Sequence, residues 1–179
     1  MPLNTSKLSM TVFTARCNPQ SAYAGVVLLE DFLNTYAHGE GDELADVASA
    51  GAWLAGIGRA GEVPAGDLAL AREVRTALRA QLGDGEATDL PETPLQVALT
   101  DDGPRLIGRG SPLLQVVGES LGEVLALQAT GEWSRVKTCA RDSCRWVFFD
   151  ASRNRSGRWC SMRVCGNREK TAAYRARKH

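Results

Sequence analysis

Histidine and aromatic residues are scarce in this chain of 179 residues, and each scarcity argues against a class of chemistry. The only histidines are His38 and His179, so no paired-histidine metal motif is present. The first 130 residues contain no glycine loop of the phosphate-binding type and no recognisable nucleophile–base set. Aromatic residues make up 6% of the chain, which argues against binding of single strands by base stacking. An enzyme is therefore the least favoured class of protein.

The chain also lacks the hydrophobic segments that direct a protein to a membrane. No segment approaches the ~18 uninterrupted apolar residues of a membrane-spanning helix. The first residues, MPLNTSKLSM, hold one lysine and no continuous apolar run, so they do not resemble a signal peptide. We therefore expect a cytoplasmic protein with reduced cysteines and no membrane partner.

The net charge is zero, but the charges are separated along the chain. Residues 133–179 hold 13 Lys+Arg against 3 Asp+Glu, whereas residues 1–132 hold 8 against 18. Such a division predicts two domains, 1–132 and 133–179, with different partners. The alternative is a basic solvated face that docks on the acidic part of the same protein.

Four of the five cysteines lie in the basic part, in two pairs. Four residues separate Cys139 from Cys144 and Cys160 from Cys165, and fifteen residues separate the pairs. Four thiolates around one divalent ion make a closed tetrahedral site, which predicts one structural zinc ion. Two disulfides, or four buried apolar cysteines, are the alternatives. The fifth cysteine, Cys17, is expected to be a packed or partly exposed thiol.

Hydrophobic periodicity predicts a mainly helical N-terminal domain with a small antiparallel sheet. Apolar residues at steps of three and four predict helices over residues 23–37, 42–57, 68–82 and 112–130. The segments LQVALT and PRLIGR flank Asp-Asp-Gly and predict a β-hairpin over 95–109, and LSMTVFTAR predicts a strand at 8–16. Asp67 is expected to cap the third helix, and Ser111 the fourth. Arg75 and Arg79 are expected to face outward.

Two polar residues of the first helix are candidates for a ligand pocket. Asp31 and Asn34 lie on or beside its apolar face, where they could contact a small molecule. The alternative is that they cap, pair or face solvent, as such residues more often do.

The C-terminal part has the element order of a treble-clef zinc finger. Strands are predicted at 135–138 and 145–150, the turn ASRNRSG reverses the chain, and a polar helix follows at 168–178. The last cysteine pair directly precedes that helix. Trp146, Phe148 and Trp159 are expected to form a small core beneath the metal.

The run from CARDSC to RWCSMRVCGNR closely resembles the CGNR-type zinc finger, named for residues 165–168. In bacterial proteins with this finger it follows an α/β domain called ABATE, and the pair is regarded as a stress-responsive transcription regulator. EDFLNT at 30–35 and AREVRTALR at 71–79 are similar to features of that domain. The resemblance implies that the four cysteines bind zinc and that the protein binds DNA.

Many arginine, lysine and asparagine side chains surround the cysteines. Guanidinium groups bind phosphate oxygens and guanine edges bidentately, and asparagine amides can reach phosphate or adenine. We expect the helix face formed by Lys170, Arg177 and Lys178, with the turn at 153–158, to make the contact. The candidate nucleic-acid contacts are Arg153, Asn154, Arg155, Arg158, Arg163, Asn167, Arg168, Lys170, Arg175, Arg177 and Lys178.

The sequence therefore predicts an α+β protein: a mostly helical ABATE-like domain followed by a treble-clef-like zinc finger with four cysteine ligands. The predicted function is a zinc-dependent, DNA-binding transcription regulator. Its N-terminal domain would sense a small ligand or mediate a homodimer, since one finger alone rarely specifies a long DNA site. The alternatives are an RNA-binding or ribosome-associated zinc protein, and a protein-interaction module with an acidic partner.

Overall fold

The structure is a computed structural model that describes residues 24–39, 41–101 and 103–178. Within these ranges the chain forms five α-helices and three separate two-stranded antiparallel sheets. The α+β class is therefore confirmed. The strand predicted at 8–16 and Cys17 lie outside the described residues. Among the described residues, no helix combines the length and the apolar character needed to cross a bilayer.

The N-terminal elements begin with helix α1 (Ala24–Leu33), which ends earlier than the sequence predicts. Two short strands follow, β1 (Tyr36–Ala37) and β2 (Gly41–Asp42), which pair antiparallel. Helix α2 (Val47–Gly56) begins after Asp46, whose carboxylate accepts a hydrogen bond of 2.7 Å from the backbone N–H of Ser49. The predicted start at residue 42 is wrong because Asp42 belongs to the strand pair.

Helix α3 (Ala65–Gln81) begins directly after Pro64, three residues before the predicted start at Leu68. Proline presets the backbone angle near a helix start, so the helix needs no carboxylate cap there. The prediction that Asp67 caps this helix is therefore wrong. Its carboxylate instead accepts from the backbone N–H of Ser111 at 3.3 Å and so contacts the start of the next helix.

The predicted hairpin and fourth helix are confirmed. Strand β3 (Leu95–Thr100) pairs with β4 (Gly103–Gly108), and the turn is closed by Gly103 with φ of 106°. Helix α4 (Pro112–Ala129) follows, with the Ser111 hydroxyl accepting from the N–H of Leu114 at 3.4 Å. A proline at the first helical position fits that start.

Strand β4 lies directly on α4 because both elements carry glycine where they meet. A Cβ built on Gly118 of α4 would lie 1.9 Å from the backbone nitrogen of Gly108. A Cβ on Gly108 would lie 1.7 Å from the carbonyl oxygen of Leu114. Only glycine at these two positions allows the strand and the helix to approach so closely.

The C-terminal part adds strands β5 (Val136–Thr138) and β6 (Val147–Phe149), which pair antiparallel. A turn of π-helix (Met162–Gly166) then leads into helix α5 (Asn167–Ala176), close to the helix that the sequence predicts at 168–178. The order of hairpin, second cysteine pair and helix agrees with a treble clef, although that finer classification stays a prediction.

One hydrophobic core extends across the boundary that the sequence predicts at 132/133. Leu29 and Phe32 of α1 are fully buried at its centre, with residues of α3 and α4 around them. The same core includes Val147 and Phe149 of β6. The hairpin of the C-terminal part therefore packs as a component of the N-terminal core, and the domain boundary itself stays a prediction.

Replacing Gly118 with alanine is expected to destabilise the fold by about 3 kcal/mol, because the added methyl group would overlap backbone atoms of β4. The matched control is Gly51→Ala in α2, where a Cβ meets no atom within 4 Å. That variant is expected to stabilise the helix by about 0.8–1 kcal/mol. Thermal unfolding measures both variants. Similar melting temperatures would contradict the close packing of the hairpin on α4.

Candidate metal centre and basic surface

The four C-terminal cysteines come together at the ends of two tight turns. The first turn, Cys139 to Cys144, connects β5 to β6, and the N–H of Cys139 donates to the carbonyl of Trp146 at 2.8 Å. The second turn contains Cys160 and leads through the π-helix to Cys165. All four sulfur atoms lie within 4.8 Å of one another. The structure thus brings the predicted ligands into a single cluster.

The sulfur–sulfur distances fit a tetrahedral metal site. Cys144 Sγ and Cys165 Sγ each lie 3.8 Å from Cys160 Sγ. Zinc–sulfur bonds of about 2.3 Å in tetrahedral geometry place sulfur atoms about 3.8 Å apart. A disulfide bond needs about 2.05 Å, so these pairs are not bonded to each other. The four cysteines hold one structural zinc ion in this arrangement.

Burial and charge further support a metal site. Cys139, Cys160 and Cys165 are buried, and Cys144 is half-buried. Hydrogen bonds, first from the thiol of Cys144 and then from that of Cys160, lower the pKa of the Cys139 thiol. The hydrogen bond with Cys139 raises the pKa of the Cys144 thiol in turn, so without metal Cys139 is the thiolate and Cys144 holds the proton.

The expected aromatic core beneath the metal is confirmed. Phe148 is buried together with the cysteines, and Trp146 and Trp159 pack against the same cluster. A module this small has too few apolar side chains to fold by burial alone. In modules of this size, metal ligation is the usual source of folding energy.

Asp150 fixes the exposed turn that follows β6. Its carboxylate accepts from Lys137 Nζ at 2.7 Å and from the N–H groups of Ser152 and Gly157 at 3.0 and 2.7 Å. Burial raises the pKa of Asp150, but the hydrogen bonds from Lys137 and Ser152 outweigh it and hold that pKa below its ordinary value. The carboxylate is therefore charged, and the turn has a defined shape.

Side chains in and directly after α1 form hydrogen bonds with the backbone of β6, as a neighbouring strand would. Asn34 Nδ2 donates to the carbonyl of Val147 at 2.9 Å, and Asn34 Oδ1 accepts from its N–H at 2.8 Å. Glu30 accepts from the N–H of Phe149. The Asn34 amide is thus used within the fold, and the ligand pocket predicted at Asp31 and Asn34 stays a prediction.

Arg79 of α3 joins the N-terminal core to the first cysteine turn. Its guanidinium donates to Asp84 Oδ2 at 2.9 Å, to the carbonyl of Leu33 at 2.7 Å and to the carbonyl of Arg145 at 2.9 Å. Arg145 Nε donates in turn to Asp84 Oδ1 at 2.8 Å. We call Arg79, Asp84 and Arg145 the arginine clamp, because one carboxylate holds two arginines from different parts of the chain.

The prediction that Arg75 and Arg79 face outward is wrong. Their residues are only 5% and 3% exposed, because the segment after α1 covers this side of α3. Arg75 donates to Thr35 Oγ1 at 2.8 Å and to both oxygens of Asp42 at 2.6 and 2.8 Å. The arginines of AREVRTALR are spaced so that they lie beside the apolar stripe of the helix. This spacing is the sequence signal that could have revealed their burial.

The predicted basic residues are exposed, and they lie in two segments of the chain. Arg153, Asn154, Arg155 and Arg158 lie in the turn after β6, and the others follow the second cysteine turn and α5. Arg155 Nη2 lies 2.7 Å from Glu132 Oε1, and the guanidinium of Arg158 lies 5.3 Å from the Trp159 ring centroid. The structure also adds Arg141, which the sequence reasoning did not single out: it lines a groove with Arg163, Arg168 and Arg175.

Together, these features define a four-cysteine zinc module that is packed into a helical α+β domain. Residues 135–178 match the CGNR zinc finger family. Residues 27–142 match the ABATE family, described as "putative stress-induced transcription regulator", and the chain belongs to this family. The two matches overlap over residues 135–142, which include all of β5 and the start of the first cysteine turn. A search of curated proteins found no match.

Replacing Cys165 with serine is expected to abolish zinc binding and to unfold the module, because three thiolates leave the closed site incomplete. Zinc content by mass spectrometry and near-ultraviolet circular dichroism measure the two effects. The control is Ser143→Ala, an exposed position beside Cys144, which should retain one zinc ion per chain. A Cys165→Ser protein with full zinc content and unchanged tryptophan signals would exclude this metal site.

Stability is expected to fall as the pH rises from about 4.5 towards 7, because burial raises the pKa of Glu30 to about 7 from its ordinary 4.5. Between these values the folded chain binds more protons than the unfolded chain, so deprotonation destabilises the fold. Burial, with the nearby charge of Glu43, also raises the pKa of Asp31 to about 6 and acts in the same direction.

Glu30→Gln retains an oxygen acceptor for the N–H of Phe149 and removes the titration. Its melting temperature should depend less on pH than that of the wild type between about pH 5 and about pH 7, the range between the two pKa values, with zinc content measured at each pH. The control, Asp89→Asn at an exposed position, should keep the wild-type pH profile. Parallel profiles for wild type and Glu30→Gln would contradict the raised pKa.

Proposed function

We propose that the protein is a zinc-dependent, DNA-binding transcription regulator. The observation that carries the proposal is a set of exposed arginines on the zinc module that have no acidic partner among the described residues. Transcription regulation is the activity described for the ABATE family. A zinc-folded module with uncompensated positive charge is suited to a polyanion, and DNA is the polyanion that a transcription regulator must bind.

Basic residues near the N-terminal part hold the fold together. Arg145 pairs with Asp84, Lys137 with Asp150, and Arg135 and Arg155 with Glu132. Away from this region, among the described residues, the exposed side chains without a hydrogen bond or ion pair include Arg153, Arg163, Arg168 and Arg175. These free guanidinium groups favour a partner that supplies several negative charges.

The alternative in which the acidic half covers the basic half receives limited support. Among the described residues, Asp84 and Glu132 are the only acids of the N-terminal part that form ion pairs with the basic part. Those contacts lie beside the β5–β6 hairpin. The cations of the second cysteine turn and of α5 face solvent, which favours an external partner.

The N-terminal part is proposed to mediate a homodimer. In the described part of the chain, β3 pairs with β4 alone, and its Val97 and Leu99 are 67% and 87% exposed. Exposed apolar residues on an unpaired edge strand favour pairing with another chain. A dimer would present two zinc modules and so extend the DNA site. A small-ligand pocket that includes Asp31 remains part of the proposal.

The test is binding of the full-length, zinc-loaded protein to duplex DNA at a series of salt concentrations, followed by fluorescence anisotropy. Neutralisation of about four phosphates gives a slope of log K against log salt of about −3.6. Removal of zinc with a chelator should abolish binding, because the module loses its folding energy. Light scattering on the same sample measures the dimer.

Folded RNA of the same length is the matched competitor. Stronger binding to RNA than to duplex DNA would replace the proposal with the RNA-binding alternative. Binding to neither nucleic acid, by protein with full zinc content, would favour an acidic protein partner.

A further inference from the structure

A groove crosses the zinc module between the first cysteine turn and α5. Its volume is about 500 Å³, and it is open to solvent. Arg141 contributes from the first cysteine turn, and Arg163 lies on the π-helix before α5. The remaining lining residues include Asn167, Arg168, Thr171 and Arg175, which belong to α5. The groove is therefore built by both halves of the metal module, so its shape depends on the metal.

Four guanidinium groups line this groove, and one carboxylate lies near them. Arg141 Nε lies 3.6 Å from Glu169 Oε1, which is a loose ion pair. The side chains of Arg163, Arg168 and Arg175 have no hydrogen bond or ion pair among the described residues. Because one acid faces four arginines, the groove has a strong positive charge at neutral pH.

Helix α5 carries basic residues on two opposite faces, so one straight ligand cannot contact both. Arg168 and Arg175 are seven positions apart and lie on the groove face. Lys170 follows Arg168 by two positions, which places it about 200° around the helix. The groove face and the outer face are therefore alternative contact surfaces.

The polar groups that share the groove with the arginines are already used within the module. Asn167 Nδ2 donates to the carbonyl of Arg163 at 3.3 Å, and the hydroxyl of Thr171 donates to the carbonyl of Asn167 at 2.9 Å. The groove thus offers mainly guanidinium groups. Such groups bind phosphate oxygens through paired N–H donors, which fixes position without reading base sequence.

We propose that this groove binds the phosphodiester backbone of duplex DNA, and that Glu169 competes with the phosphate for Arg141. The proposal rests on the proposed function and names the surface that performs it. In the free protein the carboxylate of Glu169 partly neutralises Arg141. In the complex a phosphate takes over that interaction, and Arg163, Arg168 and Arg175 bind the same backbone segment.

The proposal replaces the outer face of α5 as the expected contact surface. It also predicts that Glu169 weakens DNA binding, an effect that a surface residue without a function would not have. Removing its charge should strengthen DNA binding, because the phosphate no longer competes with a resident carboxylate. Removing a groove arginine should weaken binding.

The experiment compares four single variants of the full-length, zinc-loaded protein on one duplex DNA, across a salt series. Arg168→Ala and Arg175→Ala are each expected to weaken binding about tenfold, the loss of one charge-assisted interaction. Each should also reduce the salt slope by about 1. Glu169→Gln should bind severalfold more tightly than the wild type. Lys170→Ala, on the opposite face, is the control and should bind like the wild type.

The outcomes separate this proposal from the proposed function. If the wild type binds DNA but the arginine variants bind equally well, the groove is not the contact surface although the protein binds DNA. A loss confined to Lys170→Ala would assign the contact to the outer face of α5. An unchanged affinity for Glu169→Gln would overturn the competition with Arg141. If the wild type does not bind DNA, the proposed function fails first.

A duplex RNA of the same length distinguishes the source of the phosphate. Arginine variants that lose RNA binding while DNA binding is unchanged would overturn the proposal in favour of RNA. Zinc content is measured for every variant, so a loss of binding is assigned to the groove only when one zinc ion per chain is retained. Glu169→Gln tests the proposal independently, because its expected gain in affinity cannot result from unfolding.

Discussion

The arginine clamp is the interaction on which the arrangement of this protein depends. A buried guanidinium is tolerated only when its donors are satisfied, and Arg79 is satisfied by Asp84, by the carbonyl of Leu33 and by the carbonyl of Arg145. These acceptors belong to the end of α1, the loop after α3 and the first cysteine turn. Loss of any one would leave buried donors unpaired. The clamp therefore requires the helical domain and the zinc module to hold one relative position.

The same region shows that the metal module packs into the core of the helical domain. Strand β6 places Val147 and Phe149 in the core of the helical domain, while Phe148, on the other side of the strand, packs with the cysteines. Alternation of side chains along a strand lets one short segment serve both sites. The turn that carries Cys139 and Cys144 directly precedes this strand, so the metal site and the helical core share one short segment. The overlap of the two family matches lies at the same junction.

The basic residues divide into two groups according to their distance from this junction. Arg145, Lys137 and Arg155 are paired and shape the module, whereas Arg163, Arg168 and Arg175 face a solvent groove. Composition alone counts both groups as one basic segment. The pairing separates charge that stabilises the fold from charge that can bind a partner. This division favours an external polyanion over the acidic half of the same chain.

Local chemistry in the sequence determined the features whose causes are local. Paired cysteines predicted the metal cluster, Ser111-Pro112 predicted the start of α4, and Gly103 predicted the hairpin turn, because ligand spacing, capping and positive φ each act within a few residues. The tertiary structure decided the rest. The sequence predicts that Arg79 is a surface residue of its helix and that Asn34 is a ligand candidate. In the folded protein, distant segments cover both side chains. Arg79 donates to the carbonyl of Leu33, which lies more than 40 residues away along the chain. Asn34 donates to the carbonyl of Val147, which lies more than 100 residues away. No local pattern specifies such partners, since only the packed core brings them together.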